Sequence, residues 1–504
     1  MDLRITKYSH YFEVFAPTAK GRQFRRQFTE HFIEKSLVKK HGRFRMEPTK
    51  VYARRDLETE CVSFHINALE RFLKEAEKFQ WNGCEVEIID VPMFEPVKVE
   101  FEMEFTPWEN QVPIIDFGSE PGIQKVITAQ AGFGKTACSL AMAKNNGTRF
   151  AVVTLGGYED RWIPEFYEKL NLKPEEVRSC CGCTKLYRLL REVKDKGIDK
   201  VKAIFISTAT LRDFYKNWSN GKVVGSGCED IHPRDLWEIL GIGLVITDEA
   251  HKETHLHFIS DLYSHVPKKI YLTATLFAKM DFQLFIYETF LPKRCRKEGG
   301  KINVYVDLVK VQYNLKDWQK AKVVGGQGSY SHTTYEAWIM ADKERERRWH
   351  EALYSYTESN WLGTRKPEHK LLIFSATIEM CTRLTETFRK RQPGLVINSF
   401  TSGDDYQILL DSDIIFSTIG KSGTAVDIPD LTQAYLTVAI DSPNANIQAL
   451  GRLRELKGEK KVPQSYHCFV CMNIDKHLDY MRSKEALFRG RVLSTRTAHL
   501  DQII

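Results

Sequence analysis

Residues 125–137, KVITAQAGFGKTA, decide the reading of this chain. An apolar strand-like run, KVIT, enters a glycine-bearing loop, and ACSLAMAKN (137–145) continues it as a helix. Strand, glycine loop and helix together form the context a phosphate-binding loop requires. Gly132 and Gly134 carry no side chains, so their N–H groups can approach a phosphate closely. Lys135 can reach terminal phosphates as a point charge. Thr136 can hold Mg2+ through its hydroxyl, and the positive end of the following helix faces the anion. Ala131, Gly132, Phe133, Gly134, Lys135, Thr136 and Ala137 are therefore read as nucleotide-binding, with Thr136 also a metal ligand.

Downstream, LVITDEAH (244–251) is an apolar strand that ends on two carboxylates. Asp248 can hold Mg2+, directly or through water, and Glu249 can polarise an attacking water. A DEAH tetrapeptide alone says little. At the end of a buried strand, beyond a phosphate loop, it completes an ATP-hydrolysing centre with Lys135, Asp248 and Glu249 as catalytic residues.

Working outward, apolar β-type runs alternate with helical stretches from about 105 to 290: KVITAQ, FAVVTLG, KAIFIST, GIGLVITD and KKIYLTAT. A second series, INVYVDLV, HKLLIFSAT, GLVINSF, SDIIFSTIG, QAYLTVAI and SYHCFVCM, spans about 305 to 475. Continuous apolar strands separated by helices imply parallel sheets covered on both faces. The expected fold is α/β, two tandem parallel-sheet domains behind a small α+β N-terminal domain. The boundaries expected are 1–95, 96–300 and 301–504. In the first of these, ITKYSHYFEVFA (5–16) alternates like a strand, and VSFHINALERFLKEAEKF (62–79) runs from strand to amphipathic helix. WQKAKVVGGQGSYSHTTYEAW (318–338) reads as a flexible Gly-rich insertion, and ADKERERRWHEALYSYTES (341–359) as a charged helix.

The 504 residues are 42% hydrophobic and 28% charged, a soluble globular mix in which no apolar run reaches membrane-spanning length. The N-terminus lacks the pattern of a secretory signal. The eleven cysteines are scattered and odd in number, which favours reduced thiols in a cytoplasm. Cys180, Cys181 and Cys183 cluster, and Cys468 and Cys471 form a CxxC, but the latter lies in a strand-like run; buried free thiols are expected rather than a metal site. Net charge is +7, yet residues 1–55 carry fourteen Lys/Arg against five acids, a local +9. Such an excess suits a polyanion surface. KGRQFRRQF (20–28) and KKHGRFR (39–45) make Arg22, Arg25, Arg26, Lys39 and Lys40 candidate phosphate contacts. Phe24 and Phe28, at helical spacing, read first as core.

The order of motifs over roughly 105–475 resembles superfamily-2 helicases. AxxGxGKT, with Ala129 in place of the strict Walker glycine, is their usual variant. The resemblance implies RecA-like motor domains, ATP and Mg2+ as cofactors, and the following roles. Gln111 in FTPWENQ is similar to their adenine-reading glutamine, with Phe105 and Trp108 for stacking. Thr273, Ala274 and Thr275 in LTAT resemble the element linking hydrolysis to strand contact. In FSTIGKSGTAVDIPDL, Ser417, Thr418, Gly423 and Asp427 resemble the loop that meets both nucleic acid and ATP. Gln448, Gly451 and Arg452 match QxxGRxxR, which supplies an arginine finger; Glu455 stands where the last arginine belongs, and Arg454 is one position early. Gly156, Gly157 and Arg161 in VTLGGYEDRW, Ser207 and Thr208 in ISTATLRDF, and Ser375 in FSAT sit where the family's strand-contacting loops lie.

A small basic module ahead of the motor resembles bacteriophage branch-migration helicases of the UvsW kind. That implies a monomeric ATP-dependent helicase acting on branched or forked DNA, or on single-stranded DNA, in the host cytoplasm if phage-encoded. An RNA helicase, and a nucleic-acid-binding protein with an impaired ATPase, are the alternatives. No compact acidic nuclease cluster stands outside the motor motifs.

Overall fold

The computed structural model describes the chain except residues 41–42, 81, 130–131, 274–280, 301–303, 326–327, 402, 423–427 and 457; the side chains of 39–40, 43–44 and 421–422 also lie outside the description. The chain divides into two units, Met1–Gly300 and Lys301–Ile504.

In the first unit, β1 (Leu3–Lys7), β2 (Tyr11–Phe15), β5 (Arg54–Arg55), β6 (Val62–His65) and β7 (Val86–Asp90) form a mixed sheet in the order β5-β6-β2-β1-β7. β3 (Ile33–Lys40) and β4 (Arg43–Val51) pair as a separate antiparallel hairpin. The single strand expected over 5–16 is two: Tyr8 N–H donates to Tyr11 C=O at 2.9 Å, closing a turn between antiparallel β1 and β2. KGRQFRRQF lies in the helix Ala19–Glu30, which buries Phe24 and Phe28 as core, in line with their spacing.

The remainder of this unit is a seven-stranded sheet in the order β10-β11-β9-β12-β13-β8-β14, every pair parallel. Its strands are β8 (Gln124–Thr128), β9 (Phe150–Thr154), β10 (Val177–Cys180), β11 (Ala203–Ser207), β12 (Leu244–Thr247), β13 (Lys268–Thr273) and β14 (Arg296–Glu298). The five inner strands are the five apolar runs of the sequence. Helices cover both faces, so each side chain in β9, β11, β12 and β13 is buried. The edge strands VRSC and RKE are short and half-polar because an edge must not invite further pairing. No apolar run marks them.

The N-terminal sheet shares one core with this parallel sheet. Phe28, Phe32, Phe64 and Phe72 pack in a cluster that also contains Val126, Phe258, Tyr271 and Phe290. Burying each such ring contributes roughly 1.5–3 kcal/mol. A buried ionic group crosses the same contact. Asp261 accepts from Lys269 Nζ at 2.7 Å, from the Tyr271 hydroxyl at 2.6 Å, and pairs with His65 Nε2 at 3.1 Å.

The second unit repeats the theme with seven parallel strands in the order β17-β18-β16-β19-β20-β15-β21. They are β15 (Val306–Tyr313), β16 (Lys370–Ser375), β17 (Ile397–Phe400), β18 (Ile414–Thr418), β19 (Leu431–Leu436), β20 (Gln464–Cys471) and β21 (Thr495–His499). β21, TRTAH, is another polar edge strand with no sequence signal. The Gly-rich 318–338 stretch departs from the flexible insertion expected of it. His332–Met340 is a helix whose Tyr335, Trp338 and Ile339 are core residues, and Tyr330 OH bonds His332 Nδ1 at 2.6 Å and His477 Nε2 at 2.5 Å. Glycines at its start masked an apolar helix at its end. The charged helix is Lys343–Thr357. Cys468 and Cys471 are buried thiols in β20, pushed up to about 12 by burial. No helix among the described residues is long and apolar enough to cross a membrane.

Burial opposes the Asp261 carboxylate, but the Lys269 ammonium and the His65 hydrogen bond outweigh it and hold its pKa below the usual carboxylate range. Its contribution is therefore present above about pH 4 and is lost as pH falls through the folded pKa. Asp261→Asn leaves Lys269 buried without its counter-ion. We expect a loss of about 3–5 kcal/mol, read in urea denaturation of the whole chain near neutral pH. A loss under about 1 kcal/mol contradicts this account of the contact.

Candidate active site

Parallel register brings the motifs to one edge. Thr273 pairs with Thr128, Ser207 with Thr154, and Thr247 with Val153, so the loops after β8, β9, β11, β12 and β13 leave together at the carboxyl end. Main-chain bonds continue past the strands: Ala129 N–H donates to Thr273 C=O at 2.9 Å and Asp248 N–H to Val153 C=O at 3.0 Å.

The phosphate loop turns into the helix Lys135–Asn146 through two left-handed glycines, Gly132 (φ 88°) and Gly134 (φ 83°). A side chain at Gly134 would be strained, and its Cβ would lie 2.4 Å from Gln111 Nε2. Gln111 is buried and braces the loop with both ends of its amide. Nε2 donates to Phe133 C=O at 2.8 Å, and Oε1 accepts from Trp108 N–H at 2.9 Å. The residue expected to read a base thus holds the loop, and Trp108 is exposed beside it. Lys135 Nζ donates to Ala129 C=O at 2.8 Å. Thr136 and Phe133 are buried, Ala137 half-buried, and Ala131 lies outside the described residues.

Asp248 and Glu249 follow β12. Asp248 Oδ1 accepts from Glu249 N–H at 2.9 Å and Oδ2 from Trp162 Nε1 at 3.2 Å. Burial raises the Asp248 pKa, as does Glu249; Arg161 and Lys135 act in the opposite sense. Glu249 sits at φ 54°, a left-handed conformation costly for a residue with a side chain. Its Oε2 is buried with no hydrogen-bond partner among the described residues, and His251 Nε2 lies 3.4 Å away. Burial lowers the His251 pKa to about 4, so the ring is neutral at pH 7. His251 Nδ1 shares a 2.9 Å hydrogen bond with Thr273 Oγ1, joining the DEAH and LTAT segments. Ala274 and Thr275 lie outside the described residues.

This donor set fits a magnesium–nucleotide. One hydroxyl and one carboxylate are the oxygen ligands a hard cation takes. A left-handed glycine loop offers N–H groups to phosphate, and Glu249 Oε2 is a buried carboxylate oxygen with no hydrogen-bond partner among the described residues.

The expected nucleic-acid contacts scatter differently. Gly156 and Gly157 form a 3-10 turn, with Gly157 exposed. Ser207 and Thr208 are buried; Ser207 Oγ caps the helix Thr208–Ser219 by accepting from Thr210 N–H at 3.1 Å. Arg161 does not stand on that surface alone: its Nη2 donates to Thr136 Oγ1 at 3.3 Å. In the second unit Ser375 pairs in register with Thr418, and Ser375 is buried. Gly423 and Asp427 lie outside the described residues. Arg452 is buried, with Nε donating to Gln448 C=O at 3.2 Å, while Arg454 is half-buried. Arg22 and Arg26 are exposed, Arg25 ties Val14 and Glu60 carbonyls, and the side chains of Lys39 and Lys40 lie outside the description.

Sequence reading missed Glu336, Trp162 and the brace made by Gln111. Glu336 accepts from Ala376 N–H at 2.6 Å, Thr377 N–H at 2.8 Å and Thr377 Oγ1 at 2.7 Å, holding the FSAT turn. It lies in the stretch read as an insertion, so no motif pointed to it.

No protein-family model and no curated protein matches the chain. Solved structures do. Mss116p bound to single-stranded RNA and AMP-PNP aligns with TM-score 0.51 at 13% identity, covering 78% of this chain and 74% of that one. S. cerevisiae Dbp5 bound to RNA and ADP BeF3 gives 0.50 at 12% identity, over 79% of this chain and 90% of that one. Mycobacterium smegmatis helicase Lhr, bound to single-stranded DNA and AMP-PNP, gives 0.50 at 13%, over 78% of this chain and 49% of that one. The chain has their fold, two RecA-like α/β domains in tandem.

Burial raises the Glu336 pKa to about 7 despite its three hydrogen bonds. The folded pKa exceeds the unfolded one, so the contribution is full below about pH 4.5 and is lost as pH rises through about 7. Denaturation midpoints of the second unit should fall over that window, and Glu336→Gln should flatten the fall. An unchanged pH profile in the variant contradicts the assignment.

Proposed function

We propose that this chain is an ATP-driven nucleic-acid motor, a superfamily-2 helicase or translocase that remodels forked or junction DNA. The observation that supports the reading is the buried Glu249 Oε2 beside Asp248, with no hydrogen-bond partner among the described residues, at the sheet edge that also holds Lys135 and Thr136. Gly132, Gly134 and Lys135 bind the phosphates, and Thr136 with Asp248 holds magnesium. Magnesium held by Thr136 and Asp248 would offset the charge of the phosphates. Glu249 orients the attacking water and takes its proton; neutral His251 does not quench that carboxylate. Arg452, with Arg454 as the second choice, supplies the arginine that stabilises the transferred phosphoryl.

The DNA track rests on residues 1–95. Their +9 over the first 55 residues, with Arg22 and Arg26 exposed, suits a phosphate backbone. Nucleic acid is present in the Mss116p, Dbp5 and Lhr structures, RNA in two and DNA in one.

ATP hydrolysis should be compared with single-stranded, duplex, forked and four-way-junction DNA and with RNA. Strongest stimulation by forks or junctions is expected, and stimulation by RNA alone selects the RNA-helicase reading. Lys135→Ala should abolish turnover and leave DNA affinity largely intact; normal turnover rejects the motor. Arg452→Ala should slow hydrolysis about 10³-fold or more. A mild effect there beside a severe one in Arg454→Ala moves the role to Arg454.

A further inference from the structure

Helix Glu159–Leu170 presents two consecutive residues to the two side chains that would hold a metal. Arg161 Nη2 donates to Thr136 Oγ1 at 3.3 Å, and Trp162 Nε1 donates to Asp248 Oδ2 at 3.2 Å. Trp162 is fully buried, so it fixes the helix against the sheet. Arg161 is exposed, so its guanidinium can swing away without disturbing the core. A hydroxyl oxygen that accepts from a guanidinium cannot bring a divalent cation to the same face without placing two positive charges within a few ångströms. The same guanidinium is well suited to a phosphate oxygen.

We propose that Arg161 is a resident cation of the nucleotide site that offsets the phosphate charge when magnesium is absent and competes with magnesium at Thr136. Arg161 thereby sets how strongly nucleotide binding depends on magnesium. This rests on the nucleotide-site reading above. Arg161 is a positioning residue, because it acts through Thr136 and the phosphate charge. Sequence position had assigned it to nucleic acid, and the two roles are separable by experiment.

The test is equilibrium binding of a fluorescent ADP analogue to the full chain, with magnesium and with EDTA. Wild type, Arg161→Gln and Arg161→Lys are compared, and in parallel the salt dependence of binding to a single-stranded oligonucleotide is measured. Arg161→Gln should weaken metal-free ADP and strengthen the magnesium form. The affinity ratio should rise by about three- to tenfold, the range of one charge-assisted hydrogen bond at a partly exposed site. Arg161→Lys should stay near wild type, because the charge is kept, and the oligonucleotide salt slope should not change. An unchanged ratio with a salt slope reduced by about one makes Arg161 a nucleic-acid contact and overturns the proposal. An unchanged ratio with an unchanged slope overturns it as well. If wild type binds the analogue in neither condition, the nucleotide site itself fails, a result distinct from both.

Discussion

The in-register pairing of β8, β9, β12 and β13 is the constraint on which the candidate site depends. Each strand ends within two residues of its neighbour, and the ladder runs on into the loops through Ala129, Asp248 and Ala250. A slip of one residue would turn every buried side chain of a strand to the opposite face. Because these strands are apolar on both faces, periodicity alone cannot fix their register. The ladder beyond the strand ends does so, and it carries the phosphate loop and the carboxylates with it.

That division explains what was legible in the sequence. Central strands are continuous apolar runs, and the two motif loops have residue types that little else demands. Both the tandem architecture and the placement of Lys135, Thr136, Asp248 and Glu249 at one edge followed from them. The short edge strands β10, β14 and β21 have no such signature, since polar side chains interrupt them. Side-chain use was also illegible. Ser207 could serve a ligand or cap a helix, and only the position of Thr210 reveals the cap. Gln111 could read a base or brace a loop, and only the proximity of Phe133 shows the brace. The helix over His332–Met340 was hidden because glycines just before it dominated the reading.

Charge shows the same limit. The excess over residues 1–55 counts Arg4 and Lys7 as free, but Glu87 and Asp90 on the adjacent parallel strand pair with them at 2.9 Å and 2.7 Å. Arg54 is buried against Glu13 at 2.6 Å. Linear counting missed the partners on β7 because they lie outside the window. The positive surface left to meet a polyanion is therefore narrower than +9 suggests. It falls to exposed residues such as Arg22 and Arg26, which sit on the solvent face of a helix whose opposite face is core.

Three carboxylates with buried oxygens differ in how that burial is met. Asp261 receives an ammonium, a hydroxyl and an imidazole. Glu336 receives two backbone N–H groups and a hydroxyl. In both, the buried oxygens have donors, which outweigh burial at Asp261 and only partly offset it at Glu336. Glu249 differs: one oxygen has no hydrogen-bond donor among the described residues, its neighbour His251 is neutral at pH 7, and its backbone is held left-handed. Each of these features is unfavourable for stability, and together they fall on one residue at the edge where the phosphate loop ends. Packing gives no reason to retain them. The proposed role, a carboxylate that takes a proton from water, would give one, and Glu249 supports that proposal more strongly than the glycine loop does.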